Sequence, residues 1–214
     1  MIRRLFNKIF FTTKGKIREI EFLVNNRHNS ARLRGKNYKF FDPNKVHVGK
    51  HTYGTINVYM FGNSQEKLKI GSYCSIGPEV NFILSGEHKY DCLSTYPTHE
   101  ISMCGGGARC KGPIVIEDDC WIGFGATVLS GVKIGQGSII GAGCVIANNV
   151  EPYSIMVGNP ANCIRKRFNK ELIGELLEID FSKISIEMLA SLNSQELTYD
   201  RLRSMRKVVR DDSK

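Results

Sequence analysis

From Ile116 to Glu151 the hydrophobic positions recur every sixth residue, and the stretch divides into IEDDCW, IGFGAT, VLSGVK, IGQGSI, IGAGCV and IANNVE. Each block opens on an aliphatic residue: Ile116, Ile122, Val128, Ile134, Ile140 and Ile146. The fifth place holds a small or medium side chain: Cys120, Ala126, Val132, Ser138, Cys144 and Val150. Gly follows the opening residue at Gly123, Gly135 and Gly141. A period of six does not fit the 3.6-residue turn of a helix, but it fits one short strand plus one corner. The aliphatic residue then points into a central bore with the small fifth residue beside it. Gly, Asn and Asp are expected to relieve the corners because they tolerate positive φ. Three blocks make one triangular coil, coils stack at the strand spacing of about 4.8 Å, and the stretch predicts two complete coils of a parallel β-helix.

The same period reads upstream as Ile70–Ser75, Ile76–Asn81 and Phe82, and Val48-Gly49 and Ile56 open worn repeats before it. It is lost in between, over LSGEHKYDCLSTYPTHEISMCGGGARCKG (Leu84–Gly112). A long excursion from a regular solenoid is where function tends to sit. Pro152–Ala161 closes the last coil with Pro and Gly punctuation, and helices are predicted over Lys170–Asp180, Ser182–Leu192 and Gln195–Val209. A solenoid end exposes unpaired strand edges, so these helices are expected to cap it or to meet other subunits. At the other end Ile2, Leu5, Phe6, Ile9 and Phe10 form a helical stripe with Arg3, Arg4 and Lys8 off it. A helix packed on the body or a neighbouring subunit is the first expectation, and peripheral membrane contact through residues 1–24 the second. The predicted organisation is an all-β core at 46–165 with an excursion at 84–112, a basic arm at 1–45 and a C-terminal helical cap at 166–214.

Composition adds three constraints. No run of eighteen apolar residues occurs, so no membrane span is expected, and no small-residue cleavage site marks a leader peptide. The net charge of +9 is uneven: residues 1–50 carry 13 Lys/Arg against 3 Asp/Glu, and the remainder 17 against 18. The basic character belongs to the arm, where NYKFF (37–41) mixes aromatic and basic residues but no nucleic-acid module is visible. The seven cysteines are odd in number and form no CxxC, which points to reduced thiols in a cytoplasmic protein. Cys92, His99, Cys104 and Cys110 fit no common zinc spacing, and no metal is expected.

The hexads, the SGEHKYD…STYP excursion, Asp119-Cys120-Trp121-Ile122-Gly123 and the Val157-Gly158-Asn159-Pro160-Ala161 closure resemble the hexapeptide-repeat acyltransferases. The similarity is greatest to their xenobiotic and polysaccharide O-acetyltransferase branch, which includes streptogramin and hexapeptide-type chloramphenicol acetyltransferases. It covers about residues 68–180 and leaves 1–45 without a counterpart. The resemblance implies a left-handed parallel β-helix, a homotrimer with sites between subunits, and acetyl-CoA as co-substrate without a metal. It implies a loop histidine as general base, here His88 within Glu87-His88-Lys89-Tyr90-Asp91. It places Trp121 beside the site and coenzyme contacts at Phe124, Ala142, Ala147, Asn148 and Arg165. At Ala147-Asn148 many relatives carry Thr-Lys or similar. Lys166 continues the basic cluster Arg165-Lys166-Arg167, which suits a phosphorylated nucleotide.

The chemistry fits those residue types. A hydroxyl is a poor nucleophile at neutral pH, and a neutral imidazole, whose free pKa is about 6.5, can take its proton as it attacks a thioester. Direct transfer needs no Ser or Cys nucleophile. The second ring nitrogen must be held by an acceptor. Glu87 and Asp91, with Tyr90 between them, are the nearest in sequence, and a backbone carbonyl would serve equally. His99 is the reserve base, His28, His47 and His51 precede the clear coils, and Cys104–Cys110 reads as a flexible flap. The expected activity is acetyl transfer from acetyl-CoA to a hydroxyl of a sugar, a polysaccharide precursor or a drug-like acceptor. N-acetylation of an amino sugar and a non-catalytic scaffold are the alternatives. Metal-dependent hydration on such a prism needs histidines spread over its coils, and none occurs between Lys111 and Cys163.

Overall fold

The computed structural model describes residues 2–36, 39–96, 108–193 and 202, with side chains from Phe10 onward. A 24-residue helix α1 (Ile2–Asn25) leads into β1 (Ser30–Gly35), β2 (Val46–Val48) and β3 (Tyr53–Tyr59). The next coil is β4 (Leu68–Ile70), β5 (Ser75–Ile76) and β6 (Asn81–Ile83). After the excursion come β7 (Ile114–Ile116), β8 (Trp121–Ile122) and β9 (Thr127–Leu129), then β10 (Lys133–Ile134), β11 (Ile139–Ile140) and β12 (Val145–Ile146). The chain then runs through β13 (Ser154–Val157) and β14 (Asn162–Lys166) to helices α2 (Lys170–Leu176) and α3 (Ile186–Asn193).

Strands pair with the coil above and below, in parallel. The first face is β2-β4-β7-β10, the second carries β3, β5, β8, β11 and β13, and the third carries β3, β6, β9 and β12. The register sets the opening residues in columns. Val48, Ile70, Ile116 and Ile134 form one, Ile76, Ile122, Ile140 and Met156 a second, and Val58, Phe82, Val128 and Ile146 a third. All are buried and belong to one continuous core. The predicted parallel β-helix is therefore present. In the first coil, β3 runs straight through the corner that separates β5 from β6, because Gly54 and Val58, the partners of Ile76 and Phe82, are only four residues apart. Gly54 (φ 111°) stands where later coils have Ile, and a Cβ there would lie 2.0 Å from the Ile76 carbonyl oxygen.

The corner expectation holds at the fourth place of the hexads, where Asp119, Gly125, Gly131, Gly137 and Gly143 have positive φ, but larger residues share the conformation. One corner's column of left-handed residues is His51, Tyr73, Asp119, Gly137 and Tyr153, with φ of 56–69°. Large side chains take this conformation because each N–H bonds to the carbonyl of the adjoining coil, as Asp119 does to Ser72 and Tyr153 to Gln136. Such positions, costing of order 1–3 kcal/mol, persist where the surroundings over-determine them. The Gly after each opening residue serves a different need, close approach of coils: a Cβ on Gly123 would lie 2.7 Å from the Ala142 nitrogen. The fifth-place cysteines act as donors within the core, Cys74 to Glu117 O and Cys120 to Gly135 O. Burial pushes the Cys120 thiol well above its ordinary value. All six described cysteines are free.

The ends differ from expectation. The sheet begins at β1, ahead of residue 46, with Ser30–Gly35 paired to Tyr53–Val58, and α1 lies on it. At the far end β14 pairs antiparallel with β13 and covers the edge. The C-terminal helices instead strap one corner, since β14 already occupies the edge of β13. Arg167 donates to the Asp119 carboxylate and the Gly137 carbonyl. Gln136 donates to Leu176 O at 3.0 Å and the Tyr73 hydroxyl to Ile184 O at 2.6 Å. Tyr153, Leu176, Ile179, Phe181, Ile184 and Leu202 make a second core there. Most of the helix expected over 195–209 lies outside the described residues.

Glu66, in the turn between β3 and β4, is 2% exposed. Its carboxylate accepts the Phe61 and Gly62 N–H groups and the Ser85 hydroxyl, with Lys45 at 3.7 Å. Glu66→Ala strands those donors and is expected to lower the unfolding free energy by about 2 kcal/mol in urea denaturation. The exposed Asp91→Ala should be near neutral in the same measurement. Tyr153 is held by Gln136 and buried, and its pKa rises from 10.0 to about 12, chiefly through desolvation. Its stabilising contribution is thus complete below pH 10 and lost as pH rises from 10 towards 12. Tyr153→Phe should cost about 1 kcal/mol at neutral pH, and the gap to wild type should close over that alkaline window. A gap independent of pH would place the phenol in solvent.

Candidate active site

The excursion leaves the prism after β6 and returns before β7, and its neck is zipped. Glu87 and Arg109 form an antiparallel bridge, with Arg109 N donating to Glu87 O at 2.8 Å. Lys111 pairs with Glu87 at 2.8 Å, and this hydrogen bond raises the lysine's pKa. Arg109 pairs with Asp91 at 3.1 Å and lies over the Tyr90 ring, 5.5 Å from its centroid. The neck rests on the 61–66 turn. Asn63 donates to Ala108 O at 2.8 Å, Ser85 bonds to Glu66, and Gly86 sits over the Phe61 ring.

His88 follows directly from that neck and is exposed. Its Nδ1 lies 2.9 Å from the Thr95 carbonyl oxygen. A carbonyl only accepts, so Nδ1 carries a proton, and in the neutral ring Nε2 is the nitrogen that holds the lone pair. The tautomer is therefore held by backbone, and neither Glu87 nor Asp91 takes that role. Both carboxylates are committed to cations that brace the neck, and Tyr90 stacks under one of them. An imidazole in this state can accept a proton from a substrate bound against it. His99 and residues 97–107, including Cys104 and most of the glycine run, lie outside the described residues.

The residues expected to touch the coenzyme fall on three lines of the prism. Trp121 belongs to the outward row of the second face, Ser75-Trp121-Ile139-Ile155-Arg165, read from the register. Trp121 and Arg165 are both exposed and stand three rungs apart, roughly 14 Å at strand spacing. Phe124 and Ala142 share the next corner, joined by a 2.8 Å bond from Gly143 N to Phe124 O. Ala147 and Asn148 follow β12 at the corner from which, two coils earlier, the excursion departs. Lys166 turns back, donating to Pro152 O and Ser154 Oγ at 3.0 Å. Arg167, the third member of the basic cluster, is committed to Asp119, whose carboxyl burial pushes up while the guanidinium opposes the shift. Of that cluster, Arg165 is the residue whose side chain is exposed and makes no such bond among the described residues.

Trp121 (56% exposed) and Phe124 (59%) present large apolar faces to solvent, so this part of the single chain offers surface for a ligand or another subunit. Two concavities lie elsewhere. One of about 610 Å³ separates α1 from residues 39–47, and one of about 340 Å³ sits between the first face and Leu177. Neither is lined by a predicted site residue. No group of three metal-ligating side chains occurs among the described residues. Glu66, Asn63 and Thr95 were not legible as site residues, since NSQEK reads as an ordinary solvated turn and a main-chain acceptor leaves no mark in side-chain sequence.

The profile of the family "Bacterial transferase hexapeptide (six repeats)" matches residues 113–148. A chloramphenicol acetyltransferase of Klebsiella aerogenes is 38% identical over 149 residues, covering 65% of this chain and 71% of that protein. One from Agrobacterium fabrum is 37% identical over 158 residues, covering 64% and 74%. A probable macrolide acetyltransferase of Lysinibacillus sphaericus is 42% identical over 125 residues, covering 54% and 69%. Among solved structures, a hexapeptide-repeat acetyltransferase of Vibrio cholerae complexed with acetyl-coenzyme A shares the fold at TM-score 0.54 and 23% identity, covering 75% of this chain and 88% of that one. With its stacked hexads and this degree of identity over more than two thirds of a chloramphenicol acetyltransferase, the chain belongs to the hexapeptide-repeat acetyltransferases, enzymes built on a left-handed parallel β-helix.

Proposed function

We propose that this acetyltransferase moves the acetyl group of acetyl-CoA onto a hydroxyl of a sugar, a polysaccharide precursor or a drug-like molecule, with His88 as general base. The observation that carries this reading is the His88 Nδ1–Thr95 carbonyl bond, which leaves Nε2, without a bond among the described residues, on a braced loop. Nε2 takes the hydroxyl proton as the oxygen attacks the thioester carbonyl carbon. The C–S bond then breaks, and the departing thiolate receives that proton from the imidazolium. No acyl-enzyme forms and no metal takes part.

Acetyl-CoA lies in this reading along the second face and its adjoining corner, with Trp121 and Phe124 against the pantetheine arm and Arg165 at the nucleotide phosphates. Ala142, Ala147 and Asn148 are small enough for the chain to pass close to backbone. The exposed apolar surface at Tyr53, Trp121 and Phe124 supports a homotrimer whose sites lie between neighbouring prisms, so that His88 works on a thioester shared with another subunit. The free thiols suit a reducing, cytoplasmic compartment.

His88→Ala is expected to lower kcat by at least about 10²-fold with little change in thermal unfolding, because the ring is exposed. Retained activity, measured as CoA release with a panel of hydroxyl and amino sugars and chloramphenicol, would reject His88 as base. The same panel separates the acceptor classes. Arg165→Ala should raise KM for acetyl-CoA about tenfold and leave KM for acetyl-pantetheine unchanged, since one charged hydrogen bond to phosphate is worth roughly 1.5 kcal/mol. Equal effects on both thioesters would remove the phosphate role.

A further inference from the structure

We propose that the outer face of α1 docks the solenoid end on an anionic lipid surface. The inner face of the helix is fully engaged. Phe22 is 3% exposed and joins the core with Ala31, Leu33 and Phe41. Glu19 accepts the Gly35 N–H at 2.8 Å, and Arg18 donates to the Phe41 carbonyl. Since among the described residues β1 pairs with β3 alone, the Gly35 N–H points off the end of the ladder, and α1 lies across that end.

Opposite this engaged face the helix is apolar. Phe10, Ile17, Ile20 and Val24 are 51%, 52%, 60% and 52% exposed. At 100° per residue they lie roughly 120–160° around the helix from Phe22, so they point away from the solenoid. Lys14, Lys16 and Arg27 are exposed around the stripe, with Glu21 the exposed acid beside it. The neighbouring first strand adds exposed Arg32 and Arg34, followed by Lys36. The 13 Lys/Arg against 3 Asp/Glu of residues 1–50 concentrate the charge of the whole chain at this end.

An apolar stripe bordered by basic residues, on a helix too polar to span a bilayer, suits the boundary between headgroups and acyl chains. Each basic side chain near an anionic leaflet adds to the attraction. The spacing of Phe10, Thr13, Ile17, Ile20 and Val24 also matches a coiled-coil seam. A second copy placed on it, however, would set the basic surplus against itself, whereas an acidic lipid surface complements it.

The test is flotation of the full chain with phosphatidylcholine vesicles, with and without roughly one-third phosphatidylglycerol, at low and high salt. Binding should be at least about tenfold tighter with the anionic lipid and should weaken with salt. The double substitution Ile17→Glu/Ile20→Glu should lower it at least about tenfold. Thermal unfolding, acetyl transfer and sedimentation mass should be unchanged. Absence of vesicle binding, equal binding to both lipids, or binding untouched by the double variant overturns the proposal. A loss of sedimentation mass in the double variant also overturns it, by assigning the stripe to contact between copies.

Discussion

The structure depends on one packing constraint: successive coils must approach at strand spacing while each sends a large aliphatic side chain into the same bore. The two demands meet at the first two places of a hexad. Ile122, Ile134 and Ile140 fill the axis, and the glycine after each carries no Cβ where the neighbouring coil passes. On Gly135 that atom would lie 2.5 Å from the Pro152 nitrogen. Once those places are met, register follows, because a shift of one residue would turn every aliphatic side chain outward. The tall left-handed column from His51 to Tyr153 is a consequence of that register, held by bonds between coils.

This regularity is what permits the excursion. The coils before and after it stay paired, β6 with β9 (Phe82 with Val128), although a long loop intervenes. The loop costs the ladder nothing, but it has to be held by itself. Its support comes from below, through Glu66 and Asn63, and from its own neck, through Glu87, Arg109, Asp91 and Lys111. His88 is placed one residue beyond this bracing, with its ring held by a main-chain carbonyl seven residues on. The charged residues around the histidine therefore position the loop, and the tautomer of the neutral ring is set by the Thr95 carbonyl.

The two ends of the solenoid are closed by different means. At the far end a strand reverses and pairs, and the remaining chain runs back along a corner where aromatic and acidic side chains of the left-handed column receive it. At the near end a helix takes the place of the next coil, giving its Phe22 to the bore and its Glu19 to an edge N–H. That choice leaves a second helix face with no role in the fold, and apolar side chains occupy it.

How much of this was legible divides by range. The hexad period determined the parallel β-helix, the bore residues and the excursion, because the side-chain pattern and the backbone period are locally coupled in every coil. His88 stood out for the same reason, as a chemically apt candidate in a break of the pattern. The tertiary structure decided everything that depends on pairing across coils. It gave the tautomer to Thr95 rather than to Glu87 or Asp91, made Glu66 a buried anchor, enrolled β1 in the sheet ahead of residue 46 and sent the C-terminal helices along a corner. It also committed Arg167 to Asp119, leaving Arg165 exposed. Such contacts join residues tens of positions apart through backbone carbonyls and shared corners, and neither leaves a periodic trace in the order of the side chains.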